Sequence, residues 1–305
     1  MAMMNHNSRP GRGTRQDPIG FVAEPIPGAA GFAHGAPLAE DRNVGQVEPS
    51  PVNAAVAGAA PPWARELRKA TVLTGAGVST DSGIPDFRGP QGVWTRNPGA
   101  QQMSTYQAYV SDPAVRRRSW QARRSNPAWT AEPNAAHAAL AQLAGSRIDT
   151  QIITQNIDGL HQKAGTPVER VIEVHGSMFS VVCVSCGDRS SMAGALARVD
   201  AGEEDPPCTR CGGILKSATV MFGQRLDPAV FVRAERAALD CDLFLAIGTT
   251  LSVEPAASLC GLAAGAGAAV VIVNADPTPY DELAAEVIRE PIGTAVPRIA
   301  RQLLG

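Results

Sequence analysis

The chain alternates short apolar runs with polar stretches, and the apolar runs end in glycine, threonine, asparagine, aspartate or histidine. The runs lie at 70–74, 152–153, 171–174, 243–247 and 269–273. Windows with apolar residues at helical spacing lie between them, as in 134–143. Strands that alternate with helices in this way are typical of a doubly wound parallel α/β sheet. We therefore expect the polar strand ends to gather along one sheet edge, where such folds bind ligands.

The densest polar segment is TQNIDGLHQKAG, residues 154–165, which follows the apolar pair at 152–153. No packing requirement explains Gln155, Asn156 and Asp158 so close together. These residues indicate a ligand site at the end of a strand. A strand-to-helix turn is the alternative, in which Asp158 caps a short helix over 159–163. This segment alone does not decide between a ligand site and a helix cap.

A glycine-rich turn, GAGVSTDSGIPDFRG, follows the first apolar run. Gly75 and Gly77 allow close approach of the backbone to a phosphate, and a helix from about Val78 turns its positive end towards it. Thr80 replaces the third glycine of the dinucleotide fingerprint GxGxxG. The turn on its own therefore favours nucleotide binding only weakly.

Two histidines lie close to predicted strand ends. His175 directly ends the run at 171–174, and a histidine in a polar cleft is a natural general base near neutral pH. A lone histidine of this kind is more often structural. His161 lies on the helix after the polar segment, where we expect it to pack or to cap.

Four of the six cysteines form two CxxC pairs, Cys183 with Cys186 and Cys208 with Cys211, with residues 187–207 between them. Each pair lets two thiolates of one turn reach the same cation, and two pairs complete a tetrahedral site. Four thiolates leave no open coordination position, so we predict one structural zinc ion. Two disulfides are the weaker alternative in a chain without an export signal. The other two cysteines are expected in the core.

Composition divides the chain into two parts. Residues 1–60 are rich in Gly, Pro, Ala and Asn without apolar periodicity, which predicts a disordered tail. Residues 61–305 have the size of one large α/β domain, with a helical insertion at about 89–130 and a cysteine-bearing insertion at about 178–217. No continuous apolar stretch follows Arg9 and Arg12, so we expect no secretory signal, and no window approaches the roughly 20 apolar residues of a membrane span. We therefore expect a cytoplasmic protein.

Charge gives little indication of a nucleic-acid partner. The formal net charge is −2, with acidic and basic residues interspersed. We therefore expect no direct binding of nucleic acid. The one basic cluster, 116–118 with 123–124, is interpreted as a solvated helix face.

Six motifs together resemble the sirtuins, the NAD-dependent protein deacylases. They are the glycine-rich turn, TQNIDGLHQKAG, EVHGS, the paired CxxC motifs, GTTLSVEPA and VIVNADPTP, and they occur in the order found in that family. The similarity covers about residues 63–303. It implies a Rossmann-like sheet that binds NAD and a small domain made of a zinc ribbon and a helical insertion. It also implies acyl-lysine proteins as substrates, which meet NAD in the cleft between the two domains.

The resemblance also implies roles for individual residues. His175 is expected to act as the base that deprotonates the ribose of NAD, with Asn156 and Asp158 as the other catalytic residues. Val220, Phe222 and Gly223 resemble the strand that pairs with the substrate peptide. The residues implied in NAD binding are Gly75, Ala76, Gly77, Thr80, Asp86, Phe87, Arg88, Gln155, Asn156, Ile157, Asp158, Gly248, Thr249, Thr250, Asn274, Ala275, Asp276 and Ile292.

The chain departs from the common sirtuin pattern at three positions. Thr250 replaces a serine but keeps the hydroxyl, and Gln224 replaces a glutamate near the peptide-binding strand. Sirtuins that remove acidic acyl groups resemble one another in a Tyr-x-x-Arg pair, which here corresponds to Trp120 and Arg123. The missing tyrosine puts desuccinylation in doubt and does not by itself indicate deacetylation.

Other functions fit parts of the same pattern. Transfer of ADP-ribose to protein uses the same NAD pocket and also releases nicotinamide. A non-enzymatic module is a further possibility, in which the zinc ribbon binds partners and the NAD-binding part senses the nucleotide. The set Asn156, Asp158 and His175 argues against such a module.

Overall fold

The computed structural model describes residues 61–87, 89, 92–97 and 103–305. The predicted disordered tail, 1–60, and Arg88 lie outside these residues. The strands are β1 Lys69–Thr74, β2 Asp149–Thr154, β3 Val171–Glu173, β4 Gly176–Cys183, β5 Arg189–Ser191, β6 Leu215–Thr219, β7 Leu243–Ile247, β8 Ala269–Val273 and β9 Glu286–Ile288. The α-helices are α1 Val93–Arg96, α2 Tyr106–Ser111, α3 Pro113–Arg124, α4 Ala135–Ala144, α5 Leu160–Lys163, α6 Met192–Asp200, α7 Pro228–Leu239, α8 Ser258–Gly265 and α9 Ile292–Leu304.

Six strands form a parallel sheet in the order β3-β2-β1-β7-β8-β9. The strand order reverses beside β1, because β2 and β3 extend to one side and β7 to β9 to the other. This arrangement confirms the predicted doubly wound sheet, and the reversal creates a crevice at the carboxyl ends of β1 and β7. All five apolar runs of the sequence are strands of this sheet.

The sheet is buried on both faces, which explains why its strands are apolar without alternation. Neighbouring residues of one strand serve different clusters: Val72 packs on the side of α4 and α9, and Leu73 on the side of α7 and α8. Ile152 and Ile153 divide in the same way. Each face therefore has its own apolar core.

A second, three-stranded antiparallel sheet has the order β5-β4-β6 and carries the four paired cysteines near its turns. We call residues 176–219 the cysteine module. Helix α6 packs on its strand β4. The module's buried cluster is small, and its members are Trp120, Val181, Cys183, Met192, Ala195, Val199, Cys208 and Leu215. Trp120 comes from helix α3, so the helical segment before α4 packs against the module.

The predicted solvated face of the basic cluster is wrong for Arg116. This residue is 9% exposed, and its Nε lies 2.7 Å from Asp205 Oδ2 in the cysteine module. Its Nη1 donates to the carbonyl oxygens of Tyr109 and Val110 at 3.2 and 3.1 Å. The sequence concealed this because Arg116 and its acidic partner are 89 positions apart.

Helix α9, Ile292–Leu304, is the longest described helix and packs against α4. Its buried side includes Val296, Ile299 and Leu303, at the spacing of one helical face. Among the described residues, no helix combines the length and the apolar character needed to cross a membrane.

Candidate active site

The carboxyl ends of three parallel strands meet at the crevice beside β1. The Gln155 N–H, just after β2, donates to Thr74 O at 2.9 Å, and the Gly75 N–H donates to Ile247 O at 3.0 Å. The polar segments that follow β1, β2 and β7 therefore lie side by side. This is the arrangement predicted from the polar strand ends.

The glycine-rich turn after β1 is tighter than predicted. It is a 3₁₀-helix over Ala76–Ser82, and it begins two residues before the helix predicted from about Val78. The Gly77 N–H donates to Gly248 O at 2.9 Å, and a Cβ on Gly75 would lie only 2.6 Å from the same oxygen. These glycines are therefore required for close packing of the turn against the end of β7.

Ser79 joins the two residues at the centre of the polar segment. Its Oγ donates to Asp158 Oδ2 at 2.8 Å and lies 3.2 Å from Asn156 Nδ2. Asn156 Nδ2 also donates to Gly75 O at 3.0 Å, which fixes the orientation of the amide. Asp158 Oδ1 accepts the Leu160 N–H at 3.0 Å. The N-cap of α5 is Gly159 rather than Asp158, and the helix begins one residue later than predicted. Asp158 contacts the first N–H of the helix from the position before the N-cap and also belongs to the polar cluster.

His175 is held in one tautomer by a backbone oxygen. Its Nδ1 lies 3.0 Å from Gln155 O, which can only accept a hydrogen bond. Nδ1 therefore carries the proton, and Nε2 keeps its lone pair. Burial lowers the pKa of His175 below its ordinary value, although the bond to Gln155 opposes the shift. The side chain is consequently neutral near pH 7 and suited to accept a proton.

His161 has a packing role, in agreement with the interpretation from sequence. It is 1% exposed, its Nε2 lies 3.0 Å from Thr74 Oγ1, and its ring packs edge-on against His137 at 5.0 Å between centroids. Burial lowers its pKa to about 3. Such an imidazole stays neutral and does not serve as a base accessible to a ligand.

The remaining predicted nucleotide-binding residues lie around the same sheet edge. Gln155 Nε2 donates to Thr249 Oγ1 at 2.9 Å, which links the segments after β2 and β7. Asn274 follows β8 directly, and its Nδ2 donates to Asp276 O at 2.8 Å. Ile292 is the first residue of α9, a helix that contacts the 3₁₀ turn after β1.

The loop after the 3₁₀ turn is organised by Asp86. Its Oδ1 accepts the Gly89 N–H at 2.9 Å, and its backbone oxygen accepts the Val93 N–H at 2.8 Å. Phe87 is 46% exposed. Its neighbour Arg88, implied in NAD binding by the resemblance, is outside the described residues.

The strand predicted to pair with the substrate follows β6 and contacts His175 directly. The Val220 N–H donates to the backbone oxygen of His175 at 2.8 Å. Phe222 pairs with residues 104–106: its N–H donates to Ser104 O at 2.8 Å, and its oxygen accepts the Tyr106 N–H at 2.9 Å. The segment Val220–Gly223 therefore connects the histidine with the helical region before α4.

The four paired cysteines form one cluster, with all ligand sulfurs within 4.8 Å of one another. Cys183 Sγ lies 3.5 Å from Cys211 Sγ, and Cys186 Sγ lies 3.8 Å from Cys208 Sγ. A tetrahedral zinc with bonds of about 2.3 Å places its thiolates about 3.8 Å apart. The cluster therefore fits a structural zinc ion, as predicted.

Ser79 and Asn134 contribute to the site but were not identified from the sequence. Asn134 caps α4 and also donates from Nδ2 to Val78 O at 2.8 Å, which anchors the 3₁₀ turn. An asparagine before an apolar helix is a recognisable cap signal. Ser79 had no such local signal, because its partner Asp158 lies 79 positions away.

Comparison with known proteins agrees with this geometry. The Sir2 family model matches residues 75–255. The NAD-dependent protein deacetylase 2 of Streptomyces coelicolor is 56% identical over 232 residues, which make up 76% of this chain and 96% of that protein.

Two solved structures have the same architecture. One, described as a structural basis for the mechanism and regulation of Sir2 enzymes, has a TM-score of 0.71 at 36% identity and covers 79% of this chain and 94% of its own. A Sir2 histidine-to-alanine variant with deacetylated p53 peptide and 3′-O-acetyl ADP-ribose has a TM-score of 0.69 at 33% identity, with 79% and 94% covered. The family model spans more than half of the sequence, and the chain belongs to the Sir2 family.

Proposed function

We propose that this chain is an NAD-dependent protein-lysine deacetylase. The observation that carries the proposal is the tautomer of His175, whose Nδ1 is bound to Gln155 O while Nε2 keeps its lone pair. This base lies beside the cluster of Ser79, Asn156 and Asp158 at the switch point of the sheet. The deacetylase name of the Streptomyces relative supports the same reaction.

The reaction consumes NAD as a co-substrate and one water. The bond between nicotinamide and ribose breaks, the acyl oxygen of the substrate lysine bonds to the ribose carbon, and the acyl group ends on ADP-ribose. The lysine amine is released, together with nicotinamide. The Sir2 variant that holds deacetylated peptide and 3′-O-acetyl ADP-ribose contains the corresponding products.

His175 supplies the base in this proposal. Its Nε2 accepts a proton from a ribose hydroxyl, so that the ribose oxygen can attack the acyl carbon. The lowered pKa keeps the imidazole neutral at physiological pH, which the role requires. Gln155 O fixes the ring and stabilises the charged form when the proton arrives.

Asn156 and Asp158 orient nicotinamide and its ribose in the proposed site, and Ser79 holds both side chains in place. The proposed NAD contacts on the turn after β1 and its loop are Gly75, Ala76, Gly77, Thr80, Asp86, Phe87 and Arg88. Those after β2, β7 and β8 and at α9 are Gln155, Ile157, Gly248, Thr249, Thr250, Asn274, Ala275, Asp276 and Ile292.

Acyl-lysine proteins bind along Val220, Phe222 and Gly223 in the proposal. An extended peptide can add to an exposed strand edge through its backbone, while side chains select the residue. Phe222 already uses its backbone groups to pair with Ser104 and Tyr106, so its 39% exposed ring supplies the apolar contact.

One structural zinc ion belongs to the proposed enzyme and is held by the four-cysteine cluster. Closed thiolate sites of this kind stabilise folding and leave no open position for catalysis. Cysteines that bind zinc instead of forming disulfides are typical of reducing compartments, which supports the proposed cytoplasmic location.

Labelled NAD and an acetyl-lysine peptide test the proposal. We expect nicotinamide and O-acetyl-ADP-ribose to form only when the acetylated peptide is present, with the unmodified peptide as the matched control. Label attached to protein without deacetylation would instead support ADP-ribosyl transfer as the main reaction and contradict the proposal.

The acyl preference is a separate question and concerns Arg123. Its Nη1 donates to Ser119 O at 3.0 Å, and its guanidinium carbon lies 5.8 Å from the ring centroids of both Tyr109 and Trp120. A panel of acetyl-, propionyl- and succinyl-lysine peptides, assayed with wild type and Arg123→Ala, decides whether this cation contributes to selection. A loss confined to the succinyl peptide would assign it to carboxylate recognition.

A further inference from the structure

A buried lysine lies beside the proposed substrate strand. Lys216, on β6, is 4% exposed, and its Nζ donates to Ser217 O at 2.8 Å and to Thr219 O at 2.7 Å. Buried lysines are rare and normally pair with a carboxylate. Here the partners are two backbone carbonyl groups of the lysine's own strand, so the ammonium stabilises the local backbone conformation.

The charged groups around Lys216 make this position costly rather than favourable. Burial lowers the pKa of the Lys216 ammonium to about 8, and repulsion from Arg123 on α3 and Arg189 on β5 adds to the shift. Tyr109, from α2, binds Leu215 O next to it and has its pKa raised to about 12 by burial, so it stays neutral. The two carbonyl contacts are therefore the main compensation for burying the ammonium.

The contacts lie where the ladder between β4 and β6 is interrupted. Gly176 pairs with Thr219, but the next pair is Val181 with Ser217. Four residues of β4 thus face a single residue of β6, Ala218, so β4 bulges at this point while β6 continues. Lys216 supplies donors to the carbonyl groups on either side of Ala218, where the ladder does not continue regularly.

The interruption brings the histidine and the proposed substrate strand together. A Cβ on Gly176 would lie 2.1 Å from Ala218 O, so the two backbones are in direct contact just after His175. One residue beyond Thr219, the Val220 N–H donates to His175 O at 2.8 Å. A shift of the backbone at 217–219 would therefore move Val220 relative to the histidine.

We propose that Lys216 is a positioning residue for substrate binding. Its ammonium fixes the backbone at the end of β6 and thereby sets the segment Val220–Gly223 against His175. Charge-assisted hydrogen bonds are stronger than neutral ones, which suits a backbone held in one position. Lys216 acts through backbone and touches neither NAD nor substrate. The inference rests on the proposed function, because it assigns that strand to the substrate.

The variants Lys216→Met and Lys216→Arg test the proposal in the zinc-loaded full chain. Lys216→Met removes the donors at similar length, and we expect the KM for the acetyl-lysine peptide to rise on the order of tenfold. The KM for NAD should change by less than about twofold. Lys216→Arg keeps charge and donors and should recover most of the peptide affinity. Lys69→Met, which removes an exposed cation paired with Asp240, is the control.

An unchanged peptide KM in Lys216→Met would overturn the proposal. Equal losses in peptide and NAD affinity, with lower zinc content or melting temperature, would also overturn it, because they indicate a general structural role. Should Lys216→Met fail to fold, Lys216→Leu, which also has no donor, takes its place under the same criteria. Calorimetry of peptide binding separates this test from the proposed activity: a wild type that binds peptide without turnover refutes the activity alone.

Discussion

The parallel sheet and the cysteine module are stabilised in different ways. The parallel sheet separates two extensive apolar clusters, and strand residues such as Phe244 and Val72 are completely buried. The module has a small cluster in which two of the metal-site cysteines, Cys183 and Cys208, are themselves core residues. A core of that size rarely supports an independent fold, so a bound metal takes over part of the stabilisation.

The candidate active site lies where these two regions meet. His175 follows the last residues of β3 in the parallel sheet and directly precedes β4 of the module. Its side chain is held by Gln155 from the first region, and its backbone by Val220 after the module. Activity should therefore depend on both regions, although each is stabilised by different forces.

Removal of the metal should have the largest effect and should separate the two regions. Structural zinc sites contribute roughly 10–16 kcal/mol in small zinc domains. We expect a strong chelator or Cys183→Ser to unfold the module and abolish turnover, while amide protons of β1 and β7 stay protected. Hydrogen exchange read by mass spectrometry measures both regions at once. Cys241→Ser, outside the cluster, is the control. An unchanged melting temperature and unchanged turnover after metal removal would show that neither folding nor activity depends on the metal.

Loss of the His175 imidazole should lower activity without unfolding either the parallel sheet or the cysteine module. Replacing His175 by alanine should lower kcat by about 10²–10⁴-fold, the usual contribution of a general base. Steady-state kinetics measure the loss, and calorimetry should find NAD binding retained. The backbone bond to Val220 is unaffected by the substitution. Full turnover in His175→Ala would remove the catalytic assignment.

Truncating a buried side chain of the parallel sheet should lower the free energy of unfolding more than truncating an exposed side chain of the cysteine module. Phe244, fully buried on β7, should lose about 3–5 kcal/mol of unfolding free energy when replaced by alanine. Phe179 on β4 is 44% exposed, and Phe179→Ala should cost far less. Urea denaturation of both variants makes the comparison. Equal losses would mean that the module contributes to the global fold as strongly as the sheet does.

Acid should weaken the parallel-sheet region by a smaller amount through its buried histidines. The pKa of His161 is lowered from 6.5 to about 3, so the unfolded chain binds a proton between these values and the native state does not. The contribution of this group to stability is therefore complete above pH 6.5 and is lost as the pH decreases below it. Burial also lowers the pKa of His137 and adds to the trend.

Denaturant unfolding at about pH 7.5, 6.5 and 5.5 measures this dependence. His161→Gln should reduce the slope at acidic pH, since one of the titrating groups is gone. Stability that does not change over this range in the wild type would show that the imidazoles accept protons in the folded state.

Much of the architecture was predictable because its signals are local. Strands buried on both faces must be apolar throughout, so 243–247 and 269–273 were recognisable as parallel strands. The cysteine cluster was predictable for a similar reason, since a CxxC turn already places two thiolates on one cation. The polar strand ends followed from the fold class, which aligns the carboxyl ends of its strands.

Other features were inaccessible because their partners are distant in sequence. The pattern predicts a solvated Arg116, which instead pairs with Asp205. It also predicts a helix from about Val78, but packing against Gly248 begins the helix at Ala76 as a tighter 3₁₀ turn. Neither outcome could be read from spacing, because both depend on which segments the fold brings into contact.

The sequence by itself determined five strands of the parallel sheet, the metal ligands and the set of polar residues at the sheet edge. Spacing and burial act within a few residues, and they leave a pattern that is visible in the chain. Only the tertiary structure decided which nitrogen of His175 keeps its lone pair, how Ser79 joins Asn156 to Asp158, and that Lys216 donates to the backbone at the end of β6. These features depend on hydrogen bonds whose direction and partners exist only after the chain has folded.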